Sequence, residues 1–319
     1  MADRGTALEK GVLRWLLAGD PAIRWQVMRD LTGAEPARWR RERKAVAEKG
    51  WGARLLQKQD PGGGWGGGVY SPKWTSTTYS LILLRRLGLE AGHSAALKGC
   101  RVLLDRDASC DGGVDLFVGL NRSETCITGF ILALYRHFGF APRRTEEIVE
   151  YLLREQMTDG GWNCERFRGA KHSSFHTTIN VLEGLKVYVR TGGRRGGEVS
   201  EAEERAREFF LRHHLYRSHR TGEVVKEEFT RFSFPPRWHH DVLRTLDYFA
   251  DSGAPHDPRL EDPIQTLVRK RRRDGRWPLQ NRYPGKAFFE MEKPGKASRW
   301  NTLRALRVLK WWTEQQGTP

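Results

Sequence analysis

The sequence predicts an all-α fold: a closed ring of helical hairpins around a central cavity. Three observations predict it. The pattern apolar-x3-Gln-x3-Gly-x-Trp occurs at Leu55/Gln59/Gly63/Trp65 and at Leu152/Gln156/Gly160/Trp162, and returns with Arg for Gln at Leu267/Arg271/Gly275/Trp277. Two degenerate copies keep the spacing, Leu104/Ala108/Gly112/Val114 and His214/Ser218/Gly222/Val224. The last residues of the five copies lie 49, 48, 62 and 53 positions apart, and a period near fifty marks one supersecondary unit stacked on itself. Each copy also separates a mixed amphipathic stretch from a more apolar one, the signature of a one-sided helix followed by a helix packed on both sides. No stretch alternates as a strand does.

The elements follow in order. Two helices, Thr6–Ala18 and Pro21–Leu31, precede the first copy. Each amphipathic stretch predicts an outer helix. The apolar stretches Ser80–Leu89, Gly129–Phe138, Ile179–Val189, Val242–Ala250 and Leu303–Trp312 predict inner helices. Asp111-Gly112, Asp159-Gly160 and Asp274-Gly275 are stop signals, because glycine takes the left-handed C-terminal conformation without penalty. Twelve helices in six hairpins then occupy one domain over residues 1–319, with 1–35 completing the ring and 40–315 carrying the repeats. Gln59 and Gln156 end outer helices, where an amide satisfies orphan backbone groups while Trp65 and Trp162 pack over it.

Composition bounds the partners. Charged residues are 29% of the 319, hydrophobic ones 38%, and the net charge is +16. Such a charge suits nucleic acid, anionic membrane or phosphorylated small molecules. The basic runs Arg38–Lys44 and Arg269–Arg273 fall in expected outer helices. No apolar run reaches the length of a membrane span, the start MADRGTALEK has no signal-peptide core, and Cys100, Cys110, Cys126 and Cys164 make no disulfide framework. A cytoplasmic location is the expectation.

The loops entering the inner helices should share one face of the ring, and each carries a cation: Lys73, Arg122, Lys171, Arg237 and Arg299. Three precede a tryptophan (Trp74, Trp238, Trp300). Cations at helix N-termini oppose the macrodipole and ask for a compensating anion. The long loops Val225–Pro236 and Pro278–Ser298 carry Phe229, Phe232, Phe234, Tyr283, Phe288, Phe289 and Met291, which predicts an apolar lid. The first inner-helix turns are polar, with Glu124-Thr125-Cys126, His176-Thr177-Thr178, His239-His240-Asp241 and Asn301-Thr302. Glu124, Cys126 and His176 offer carboxylate, thiolate and imidazole, three zinc ligands with a fourth position open. Cys164, His172 and His240 are further ligand candidates. His176, His239, His240 and Asp241 are the candidate acid–base groups.

The Gln-x3-Gly-x-Trp repeats on paired helices resemble those of the terpenoid cyclase and protein prenyltransferase β-subunit superfamily, over roughly residues 40–315. The resemblance implies an (α/α)6 toroid. Prenyltransferase β subunits hold zinc with Asp-x-Cys on one inner helix and a His on a later one. Glu124-x-Cys126 resembles the first element with Glu in place of Asp, and Phe175-His176-Thr177 resembles the second. Arg122 resembles a position that helps bind diphosphate. Those β subunits work with a helical partner subunit. The Asp-x-Asp-Asp acid of protonating cyclases is absent, and Asp105-x-Asp107 falls at the end of an outer helix. One implied function is zinc-dependent prenyl transfer from an isoprenoid diphosphate, with Lys73, Trp74, Arg122, Lys171, Arg237, Trp238, Arg299, Trp300 and Tyr283 facing the ligand. A metal-free cyclase or an acidic-sugar lyase is the second. A non-catalytic binder of nucleic acid or anionic membrane is the third, and the sequence carries no nucleic-acid motif.

Overall fold

The Gln-x3-Gly-x-Trp repeat explains how each turn is built. In the two full copies the Gln amide donates to the carbonyl four residues on: Gln59 to Gly63 at 2.8 Å and Gln156 to Gly160 at 2.7 Å. It also reaches the next outer helix, at Ala95 and Ala202 respectively, both at 2.8 Å. The indole N–H of Trp65, Trp162 and Trp277 donates to the carbonyl ten residues earlier, Leu55, Leu152 and Leu267. The three tryptophans are fully buried. Their backbone N–H groups donate to threonine hydroxyls in the first turn of the following inner helix, Thr77, Thr178 and Thr302, each at 3.0 Å. Val114 does the same to Thr128. One unit therefore ties outer helix, turn, inner helix and next outer helix together.

The computed structural model describes residues 2–117 and 122–316, and the side chains of 10–117 and 122–315. These residues form thirteen α-helices and no strand. They are α1 (Ala2–Leu17), α2 (Pro21–Asp30), α3 (Pro36–Glu48), α4 (Gly50–Leu56), α5 (Thr77–Leu87), α6 (Ser94–Asp105) and α7 (Thr125–Phe138), then α8 (Arg144–Arg154), α9 (Phe175–Arg190), α10 (Gly196–Arg212), α11 (Val242–Ser252), α12 (Glu261–Arg269) and α13 (Arg299–Gln316). Helices α5, α7, α9 and α13 start before their apolar stretches, because polar first turns bond back to the loops. Helix α7 abuts α5 and α9, α11 lies between α9 and α13, and α13 reaches α2. The circuit closes where Trp25 and Gln26 of α2 donate to the carbonyls of Leu87 and Arg86 at the end of α5.

Helices α7 and α9 come closest through paired glycines. A Cβ on Gly184 would lie 2.4 Å from the Gly129 carbonyl oxygen. Two expectations are corrected. The outer helix of the first repeat is split into two, α3 and α4, because the chain turns extended at Lys49 and the Trp51 N–H is held by the Asp20 carboxylate at 2.8 Å. The basic run 269–273 is not helical beyond Arg269; Arg271 instead takes the Gln position and donates to the Gly275 carbonyl.

Candidate functional site

At the N-terminal ends of the inner helices a chamber of about 280 Å3 lies under the loop 282–292. Leu55, Trp74, Leu83, Phe234, Phe288 and Met291 are among its walls, and Arg237 projects among them. The loop is fastened to the rim. The Lys286 N–H donates to the Lys73 carbonyl at 2.9 Å, the Trp74 N–H donates back to Lys286, and the Trp74 indole donates to the Pro284 carbonyl. Tyr283 stacks on His239 with centroids 3.5 Å apart, and His239 stacks on Trp238 at 3.7 Å. The loop 278–298 is thus the expected lid. The other long loop packs inward: Phe229 and Phe232 are buried, and Phe234 reaches the barrel interior.

The cations expected to ring this mouth are not brought together. Only Lys73 and Arg237 share a neighbourhood, both over the Trp74 ring. Arg122 lies over Phe167 beside a separate groove, Lys171 is exposed beside another, and Arg299 packs on Trp15 of α1 and donates to its carbonyl. The chain itself supplies the anions that helix N-termini attract. Glu292 accepts from the Arg299 and Trp300 N–H groups at the start of α13, and burial raises its pKa. Asp241 caps α11 by accepting from the Arg244 N–H and holds Ser233 with its other oxygen.

The candidate acid–base groups divide the same way. His240 is buried with both ring nitrogens engaged, one with the Leu215 carbonyl and one with the Thr245 hydroxyl. Asp241 spends both oxygens on the fold. The His176 Nδ1 accepts from the His240 N–H, and burial pushes its pKa down to about 4. His239 keeps a buried Nδ1 without a partner among the described residues, and burial together with His176 pushes its pKa down to about 3. His176 and His239 are therefore neutral at pH 7, with ring centroids 5.7 Å apart.

Among the described residues the metal-capable group is Glu124, Cys126 and Cys164, whose ligand atoms lie within 4.8 Å of one another. His176 is not part of it. Thr177 of α9 donates instead to the Cys164 sulfur, which also accepts from the Cys126 N–H at 3.3 Å. Burial raises the Glu124 pKa, and the hydrogen bond from the Cys126 thiol lowers that of Cys164. The donor set of one carboxylate and two sulfurs suits a soft divalent ion. The resemblance-based set therefore fits only with Cys164 in place of His176.

The residues that sequence reasoning missed lie at the other end of the barrel. There the last turns of α5, α7 and α9 meet Arg244 of α11 and the first half of α13 around a second chamber of about 330 Å3. Glu183 of α9 accepts from Arg85 at 3.0 Å, Arg86 at 2.8 Å and Arg244 at 2.9 Å. Asp247 holds Arg304 and Arg307, and Asp251 holds Lys186 and Arg190. Phe234 lines both chambers and stacks on Trp300, which lines the second, at 4.0 Å. A signal was present: basic residues recur inside or just after the apolar stretches, at Arg85-Arg86, Lys186/Arg190 and Arg304/Arg307.

No protein-family model and no curated protein matches this chain. Among solved structures it is similar to the type II terpene cyclase MstE from Scytonema. The apo enzyme is 12% identical at a TM-score of 0.35, covering 86% of this chain and 99% of that one. A variant described in complex with its substrate geranylgeranyl dihydroxybenzoate is 14% identical at 0.35, covering 86% and 97%. Likeness this distant leaves the chemistry to be argued from the chain's own residues. Among the described residues no helix is long and apolar enough to cross a membrane.

Proposed function

We propose that this chain is an enzyme-like α/α toroid that takes an amphipathic anionic ligand of the isoprenoid-diphosphate class in the lidded chamber. The observation that carries the reading is Arg237. Its guanidinium stands half-buried in an apolar, aromatic wall, with Trp74 against it at 5.2 Å. Burial lowers its pKa to about 10, and no carboxylate pairs with it among the described residues. A desolvated cation in that setting is matched by an anionic group on a ligand whose apolar part meets Leu83, Phe234 and Phe288. Farnesyl diphosphate titrated against tryptophan fluorescence is expected to saturate at one ligand per chain. Arg237→Gln is expected to weaken it about tenfold or more. Equal affinity in the variant would remove the reading.

The Glu124/Cys126/Cys164 group supports a second element, a bound zinc ion. When bound, zinc would supply Lewis acidity at an open coordination position. The chain's own part is to hold two sulfurs and a carboxylate on α7 and the loop before α9. Protein washed with chelator and reloaded is expected to keep one zinc per chain by mass spectrometry. Cys126→Ala and Cys164→Ala are expected to lose it, and His176→Ala to retain it. Retention in both cysteine variants would exclude the site.

A further inference from the structure

The second chamber has donors that the protein does not satisfy. Arg85 Nε, Arg86 Nε, Arg304 Nη2 and Trp300 Nε1 are buried, have no acceptor among the described residues, and belong to residues lining this one cavity. Arg304 is 3% exposed and Trp300 2%. Buried polar groups are paired in folded proteins, and a buried donor left unmet is costly, more so when charged. Four of them around one cavity place that cost where a ligand can relieve it.

The charge of the walls agrees. Eight basic side chains line the chamber against three carboxylates, with Asp30 behind the wall pairing Arg29 and Arg307. The carboxylates are already shared: Glu183 serves three arginines, and Asp247 serves two. His137 also lines the chamber, and burial pushes its pKa down to about 3, so it adds no charge near neutral pH. Arginine forks present paired N–H groups that match the oxygens of a tetrahedral anion. The C-termini of α5, α7 and α9 beside the chamber are negative ends of dipoles and ease the crowding of cations without accepting from their spare N–H groups.

We propose that this chamber is a second anion site, for a phosphate-type oxyanion, either free or as the phosphoryl group of a small molecule. It uses residues apart from Arg237 and the lid, so it stands or falls independently of the isoprenoid reading.

The test is calorimetric titration at low ionic strength with inorganic phosphate, inorganic diphosphate and glycerol phosphate, chloride and acetate serving as controls. One saturable site per chain is expected for at least one of the three. Arg86→Gln and Arg304→Gln are each expected to weaken it about tenfold. Arg86→Lys, which keeps the charge and loses the fork, is expected to fall between. Arg237→Gln is expected to leave it unchanged while weakening farnesyl diphosphate. Preference for glycerol phosphate over the inorganic ions would assign the phosphoryl group to an organic ligand, and the reverse to a free ion. Wild-type affinity in folded Arg86→Gln and Arg86→Lys would overturn the proposal, because the uptake would then be surface counterion association. So would the lack of saturable binding by any of the three.

Discussion

Glu183→Gln is expected to lower folding stability by about 3–5 kcal/mol, the range for breaking one partner out of a buried ion pair. The carboxylate is the common acceptor for Arg85, Arg86 and Arg244, and Arg244 is itself 1% exposed. Glutamine keeps the shape and leaves three guanidinium groups facing one another in a low-dielectric interior. The pH dependence has a definite sign. The three arginines hold the folded-state pKa of Glu183 well below the ordinary 4.5. The stabilisation is present in full above 4.5 and fades as pH falls towards the depressed value. Urea melts of wild type and variant at pH 7 and pH 3 measure both effects. The gap between the two proteins should narrow in acid. Phosphate should recover more stability in Glu183→Gln than in wild type, since the variant chamber holds one more uncompensated charge.

Trp162→Ala is expected to cost about 3–5 kcal/mol, as large-to-small changes of buried aromatics do. The indole is fully buried and its N–H holds the Leu152 carbonyl at 2.7 Å. Trp162→Phe keeps most of the packing, so its cost should fall to about 1–2 kcal/mol, the share of the unmet carbonyl and lost donor. The equivalent changes at Trp65 and Trp277 should have similar costs, because both make the same bond at 2.9 and 2.8 Å. Thermal melts followed by circular dichroism rank the three. A small effect at any one would show that its hairpin is held by other contacts.

The repeat was legible because its bonds are local. Gln156, Gly160 and Trp162 close a turn within a dozen residues, so spacing alone reveals the job. The lid was legible from the aromatic content of residues 278–298. The basic chamber was not, because Arg86, Glu183, Arg244 and Arg304 come from four helices spread over more than two hundred positions. Their meeting depends on ring closure, which no local pattern encodes. Those residues also sit inside stretches that read as apolar, where the eye averages them away. The expected ring of mouth cations failed for a related reason. A helix N-terminus asks for an anion, and Glu292 and Asp241 supply it from within the chain. Cys164 took the place given to His176 because the loop before α9 swings its sulfur under Thr177, whereas the imidazole is held by the His240 N–H.

The lid carries a consequence for timing. Gly285 passes so close to the rim that a Cβ there would sit 2.7 Å from the Trp74 indole nitrogen, and its φ of +141° is one that other residues rarely adopt. On the proposed function, a ligand that reaches the wall behind this segment lifts it from Lys73 and Trp74 and unstacks Tyr283 from His239. Exchange is then set by how often the segment lifts, so arrival and departure slow together while the equilibrium constant changes little. Gly285→Ala would raise the lifting frequency by weakening the closed position. Stopped-flow traces should report faster association and faster dissociation in that variant, with the observed rate levelling off at high ligand concentration in the wild type.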